Sequence, residues 1–116
     1  MRGRRRFGDA GEAYAARHLE RLGWVILARQ YRVQTGEIDL VAEEVGEVVF
    51  VEVKTRRSNE VEPEESVGWQ KLRRMERAAH QFLVERAWEE RPHRFDVISI
   101  VWPEGQDPTL EHLRDI

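Results

Sequence analysis

Residues 36–56 read GEIDLVAEEVGEVVFVEVKTR, and the organisation of the chain follows from how this stretch is parsed. Ile38 to Ala42 are apolar or β-prone and read as one strand, Gly46 marks a hairpin turn, and Val48 to Thr55 read as the next strand. Val48-Val49-Phe50-Val51 is apolar at every position, so both faces of that strand are expected to be covered and the strand to be central. Glu52 and Lys54 interrupt the run. Strand side chains alternate, so Glu52 and Lys54 are expected on one face, and Glu37 and Asp39 on one face of the strand before. If those faces coincide, neighbouring strands present three carboxylates and one ammonium, and carboxylates so placed require a cation between them. Oxygen ligands suit a hard divalent ion such as Mg²⁺ or Mn²⁺.

Working outward, Asp9 and Glu12 have the form of a capping box, and Ala15, Leu19 and Leu22 recur at helical spacing before Gly23, which predicts a helix over Asp9 to Leu22. Trp24 to Arg32 alternates at period two and reads as the first strand, closed by a turn at Thr35 and Gly36. Arg56 to Glu65 is polar, holds Pro63 and has no period, which describes a mobile loop. Ser66 is a candidate cap for a second helix with Leu72, Met75, Ala79, Phe82 and Arg86 on one face, ended before Pro92. Phe95 to Trp102 reads as the fourth strand, and residues 103–116 as a C-terminal extension, loose or carrying a short edge strand. The expected order is α-β-β-β-α-β, an α/β domain with a mixed central sheet flanked by helices, in one unit over residues 1–116 with residues 1–6 as a flexible basic tail.

The chain has no Cys, which excludes disulfides, thiolate metal sites and a thiol nucleophile. No apolar run approaches the ~20 residues that span a bilayer, and the basic start lacks the apolar stretch of a signal peptide, so no membrane association and a cytoplasmic location are expected. A net charge of -3 argues against a polyanionic partner, but the charge is segregated: residues 1–32 carry +5, 33–68 carry -7, 69–94 carry +3 and 95–116 carry -4. Of the 19 basic residues 17 are Arg; Lys54 and Lys71 are the exceptions, and a lysine amid arginines suggests a need for a compact point charge.

Gly36-Glu37-Ile38-Asp39-Leu40 and Val51-Glu52-Val53-Lys54-Thr55-Arg56 resemble the D…(D/E)xK signature of the PD-(D/E)XK nuclease superfamily, and within it the stretches of the YraN-like bacterial family. The resemblance extends through Gly8 to Glu12, Gly23 to Arg32, Lys71 and Arg94 to Val97. It implies a restriction-endonuclease-like αβββαβ core in which Asp39 and Glu52 bind Mg²⁺ or Mn²⁺, the Val53 carbonyl completes the protein ligands and Lys54 assists the attacking water. In similar junction-resolving nucleases, which often work as homodimers, a glutamate of the first helix joins the site, and Glu12 matches it. Ile38 stands where the superfamily's proline precedes the aspartate.

For several residues two readings stay open. Glu12 is a metal ligand or only a helix cap, although its wheel position among Ala15, Ala16 and Leu19 is unusual for a cap. Glu37 is an auxiliary ligand or a solvated strand end. Lys71, with Gln70 beside it, reaches the site or the phosphate backbone, or lies on a solvated face. Arg29, Arg32, Arg56, Arg57 and Arg74 are candidate nucleic-acid contacts, with Arg2, Arg4, Arg5, Arg6, Arg73 and Arg77 behind them, provided they converge. Trp69 and Tyr31 stack on bases or belong to the core. The four His lack metal-ligand spacing and carry no expected role. The expected function is metal-dependent phosphodiester hydrolysis on nucleic acid, with DNA, including branched or processed DNA, as substrate; the alternatives are an inactive nucleic-acid-binding module of the same fold and hydrolysis of a smaller phosphoester.

Overall fold

The computed structural model describes residues 2–58 and 68–116, with side chains from Arg6 onward. Its elements are α1 (Arg2–Arg21), β1 (Val25–Val33), β2 (Gly36–Glu44), β3 (Glu47–Arg56), α2 (Trp69–Glu85), β4 (His93–Val101) and β5 (Thr109–Leu113). Ladder order equals chain order, β1-β2-β3-β4-β5, and each pairing is antiparallel except β3 with β4, which run parallel. A parallel neighbour requires a crossover, and α2 supplies it. The result is the mixed, helix-flanked α/β sheet expected of a restriction-endonuclease-like fold, extended by β5 at the edge.

β3 is central, and Val48 to Glu52 are buried in sequence. On one side Ala15, Ala16 and Leu19 of α1 pack on Leu40, Ala42, Val49, Val51, Ile98 and Ile100; on the other Ala78, Ala79, Phe82 and Leu83 of α2 pack on Ile38, Val41, Val48 and Phe50. Small residues let α1 approach closely: a Cβ on Gly11 would stand 1.9 Å from Thr55 Oγ1. Across the sheet, a Cβ on Gly36 would stand 2.1 Å from the Arg74 carbonyl oxygen, so the β1–β2 turn presses directly on the α2 backbone.

The turns explain the boundaries. Val45 and Gly46 both have positive φ (45° and 84°), the two-residue geometry that matches strand twist in a hairpin. Helix α1 ends with Gly23 left-handed and Trp24 N–H donating to the Leu19 carbonyl at 3.0 Å, after which both side chains pack in the same core. Helix α2 ends in the same motif, with Trp88 N–H donating to Leu83 at 2.8 Å, but here Ala87 takes the left-handed position (φ 57°).

One expectation is corrected and two open ones are settled. Helix α1 starts at Arg2 and not at Asp9; Asp9 is interior and caps nothing, and Arg2 to Arg6 are helical turns and not a tail. Continuous backbone hydrogen bonding outweighs the local cap signal of a single Asp-x-x-Glu. The expected C-terminal edge strand forms as β5, held to β4. Tyr31 is a core residue, edge-on to Phe82 at 5.2 Å with its hydroxyl donating to Glu85 at 2.5 Å, and is not a free stacking platform. The candidate cap Ser66, and most of the expected mobile loop, lie outside the described residues. Among the described residues no helix is long and apolar enough to cross a membrane.

Candidate metal and catalytic site

The site is built where the sheet stops being regular. β2 and β3 pair from Glu44↔Glu47 to Leu40↔Val51. At the next position the Val53 N–H donates to the Asp39 side chain (Oδ2, 2.8 Å), so a carboxylate takes the place of a main-chain acceptor. Alternation breaks at the same residue: Leu40 and Ala42 pack on the α1 side, whereas Val41 and Ile38, three apart, both pack on the α2 side. The shared face expected for Glu37 and Asp39 rested on regular alternation, which does not hold here.

Glu52 continues the Val48–Phe50 face toward α2 and is only 4% exposed. A carboxylate buried to that degree needs a partner, and Lys71 supplies it from the first turn of α2, with Nζ 2.5 Å from Oε1. Asp39 lies close enough to Glu52 for the two charges to act on each other. Burial and the adjacent Glu52 charge raise the Asp39 carboxyl to about 8; the Val53 N–H opposes this and Glu12 adds to it. Burial also raises Glu12, opposed by a hydrogen bond from Gln30 and reinforced by Asp9, Glu37 and Glu52. For Lys71, half-burial alone lowers the pKa, but the hydrogen bond and charge of Glu52, with Asp39 and Glu37, outweigh it and hold the ammonium above its ordinary value. Three carboxylates of α1, β2 and β3 therefore feel one another, and Glu37 reaches the same field.

The donor chemistry fits a hard divalent ion in kind: oxygens only, with Glu52 buried and an Asp39 carboxyl that burial and the Glu52 charge dispose to hold a proton. In the arrangement described, the cation beside Glu52 is Lys71. Among the described residues no three His, Asp or Glu side chains are already grouped as a metal shell.

The other candidates distribute as follows. Lys54 lies two residues beyond Glu52 on β3, opposite Ser99 of β4, and is half-buried. Gln70 is exposed beside Lys71. Arg32 pairs with Glu37 at 3.6 Å, and Arg29 is exposed on β1. Arg57 donates to the Trp102 carbonyl at 3.2 Å and lies 3.9 Å over the Phe7 ring; Arg56, at the end of β3, accepts from Trp102 N–H at 2.7 Å through its carbonyl. Arg74 is exposed on α2. These arginines come from three regions of the molecule, and two of them are engaged in holding it together. Trp69 is 65% exposed, with Arg73 5.0 Å over its ring.

Two groupings were not anticipated. Gln30, opposite Asp39 in the β1–β2 ladder, donates to Asp9 of α1 at 2.9 Å; nothing in its local sequence distinguishes it. Asp96, fully buried, accepts from Arg94 (3.0 Å), the Asp115 backbone (2.9 Å) and His112 (2.8 Å), fastening β5 and the C-terminus. A signal existed for it, since one acid interrupts the apolar run from Phe95, the same kind of interruption that singled out Glu52.

Fold and site together define an α/β domain in which a buried Glu52 and a partly buried Asp39 meet where the β2–β3 pairing stops. Residues 11–100 match the model of the uncharacterised protein family UPF0102, and the chain belongs to that family. It is 46% identical over 97 residues to a UPF0102 protein of Symbiobacterium thermophilum, covering 83% of this chain and 82% of that one. Against a UPF0102 protein of Moorella thermoacetica it is 46% identical over 105 residues (90% and 87%), and against one of Rhodococcus opacus 42% over 109 (93% and 92%).

Proposed function

We propose that this protein is a Mg²⁺- or Mn²⁺-dependent phosphodiesterase of the PD-(D/E)XK type acting on nucleic acid, with DNA as substrate. The observation that carries this reading is the juxtaposition of the buried Glu52 with Asp39, whose carboxyl is raised to about 8, where the β2–β3 pairing stops. Asp39, Glu52 and the Val53 carbonyl are the residues to hold the ion, with Glu12 as the α1 contribution and Glu37 beside them. When bound, a divalent ion supplies a Lewis acid and lowers the pKa of water. Lys54, two residues beyond Glu52 on β3, is the residue we assign to orient that water or to balance charge developing on the phosphoryl oxygens. Lys71 carries a second positive charge into the site from α2.

A specific observation favours a second reading. Lys71 already neutralises Glu52 without metal, as it would in a nucleic-acid-binding module that does not turn over. The test is cleavage of labelled linear, flapped and branched DNA with Mn²⁺ by the wild type, Asp39→Ala and Lys54→Ala. Cleavage by the wild type alone supports the enzyme. Equal cleavage by all three exposes a contaminant and refutes it, and metal-independent, salt-sensitive binding without cleavage establishes the module.

A further inference from the structure

Gln30 has no place in the chemistry above, yet it is the most unusual residue on the sheet. Its φ is 47°, in the left-handed region that side chains with a Cβ rarely adopt, and it sits inside a strand. It stands between the Arg29↔Leu40 and Tyr31↔Ile38 pairs and so faces Asp39 across the ladder. The regularity of both strands fails together: Ala28 and Tyr31, three apart, pack on the α2 side, as Val41 and Ile38 do on β2. The twisted backbone turns the Gln30 amide toward α1, where Nε2 donates to Asp9 Oδ1 at 2.9 Å. Glu12 lies one helical turn beyond Asp9 on the same helix, so the bond that fixes Asp9 also fixes the turn that carries Glu12.

We propose that Gln30 is a positioning residue, which rests on the metal-site reading: by holding Asp9, its amide fixes the turn of α1 that carries Glu12 toward the Asp39–Glu52 pair. A strained backbone persists only where the surroundings over-determine it, and such residues collect at functional sites. A tie between α1 and β1 for stability alone would be made as well by a residue in ordinary strand geometry. Here the strain coincides with the residue opposite Asp39 and with the break in β2.

Two substitutions separate the amide from the backbone. Gln30→Ala and Gln30→Gly both delete the amide, but only Gly relieves the left-handed strain. Mn²⁺ binding is measured by isothermal titration calorimetry, and thermal unfolding on the same samples. Both variants are expected to bind Mn²⁺ about tenfold more weakly than the wild type, the usual scale for losing a group that orients a ligand, while Gly melts above Ala. On a Glu12→Gln background Gln30→Ala should cause no further loss. Affinities of both variants within about twofold of a wild type that does bind would overturn the positioning role and leave the metal centre standing. Weakening in Ala but not in Gly would overturn it too, because the backbone and not the amide would then matter. A folded wild type that binds no Mn²⁺ removes the metal-site reading itself, and this proposal with it.

Discussion

Replacing Asp39 by Asn should stabilise the metal-free protein, by an amount that grows with pH. The substitution keeps the shape and leaves an amide oxygen to accept from Val53 N–H, but removes the group that cannot ionise comfortably beside Glu52. Asp39 has its carboxyl raised to about 8 by burial and by Glu52, whereas an unfolded aspartate titrates near ~3.9. A carboxyl with the higher pKa in the folded state releases its proton more readily on unfolding. Stability is therefore lost as pH rises across that interval, at up to about 1.4 kcal/mol per pH unit. Because the Glu52 charge that helps raise Asp39 is itself paired with Lys71, we assign about half of that slope to the substitution, so the variant should gain about 2 kcal/mol on the wild type between about pH 5 and about pH 8. Urea unfolding at the two pH values in the presence of chelator reads the difference directly. A variant less stable than the wild type at the higher pH, or a gap that does not change between the two, would refute the electrostatic account of the site.

Lys71→Met leaves Glu52 buried without its cation; the metal-free protein should lose about 2 kcal/mol, while Mn²⁺, no longer competing with an ammonium, should bind more tightly. Unchanged affinity by calorimetry would show that Lys71 and the ion do not share a position. Asp96→Ala strands Arg94 and His112 at the β4–β5 junction and should cost about 3 kcal/mol, seen in denaturant and as faster amide exchange at Asp115; a loss under about 1 kcal/mol would mean that the network holds nothing. Ala87→Gly removes a left-handed strain at the end of α2 and should gain about 1 kcal/mol in thermal unfolding, and a lowered melting temperature would contradict the cap geometry.

Much of this architecture is local chemistry and is legible along the chain. The apolar run at Val48 to Val51 places β3 at the centre because a strand covered on both faces alternates with nothing, and Gly46 places the hairpin because its turn needs positive φ. Glu52 stands out for the same reason, as a charge on a strand otherwise built for burial. Helix α1 shows where such reasoning stops: a capping pattern at Asp9 is a contest between one side-chain bond and a continuing helix, and the continuing helix wins.

The sequence by itself determined the elements, the central strand and the candidate carboxylates, since each depends on residues a few positions apart. Tertiary structure decided what those carboxylates meet. The separation of β2 from β3 at Asp39, the left-handed Gln30 opposite it and the Lys71 ammonium on Glu52 join residues 9 to 19 positions apart on four elements. No periodicity records them, because they arise only when two helices close on opposite faces of one sheet and a buried charge must take whichever partner the packing brings within reach.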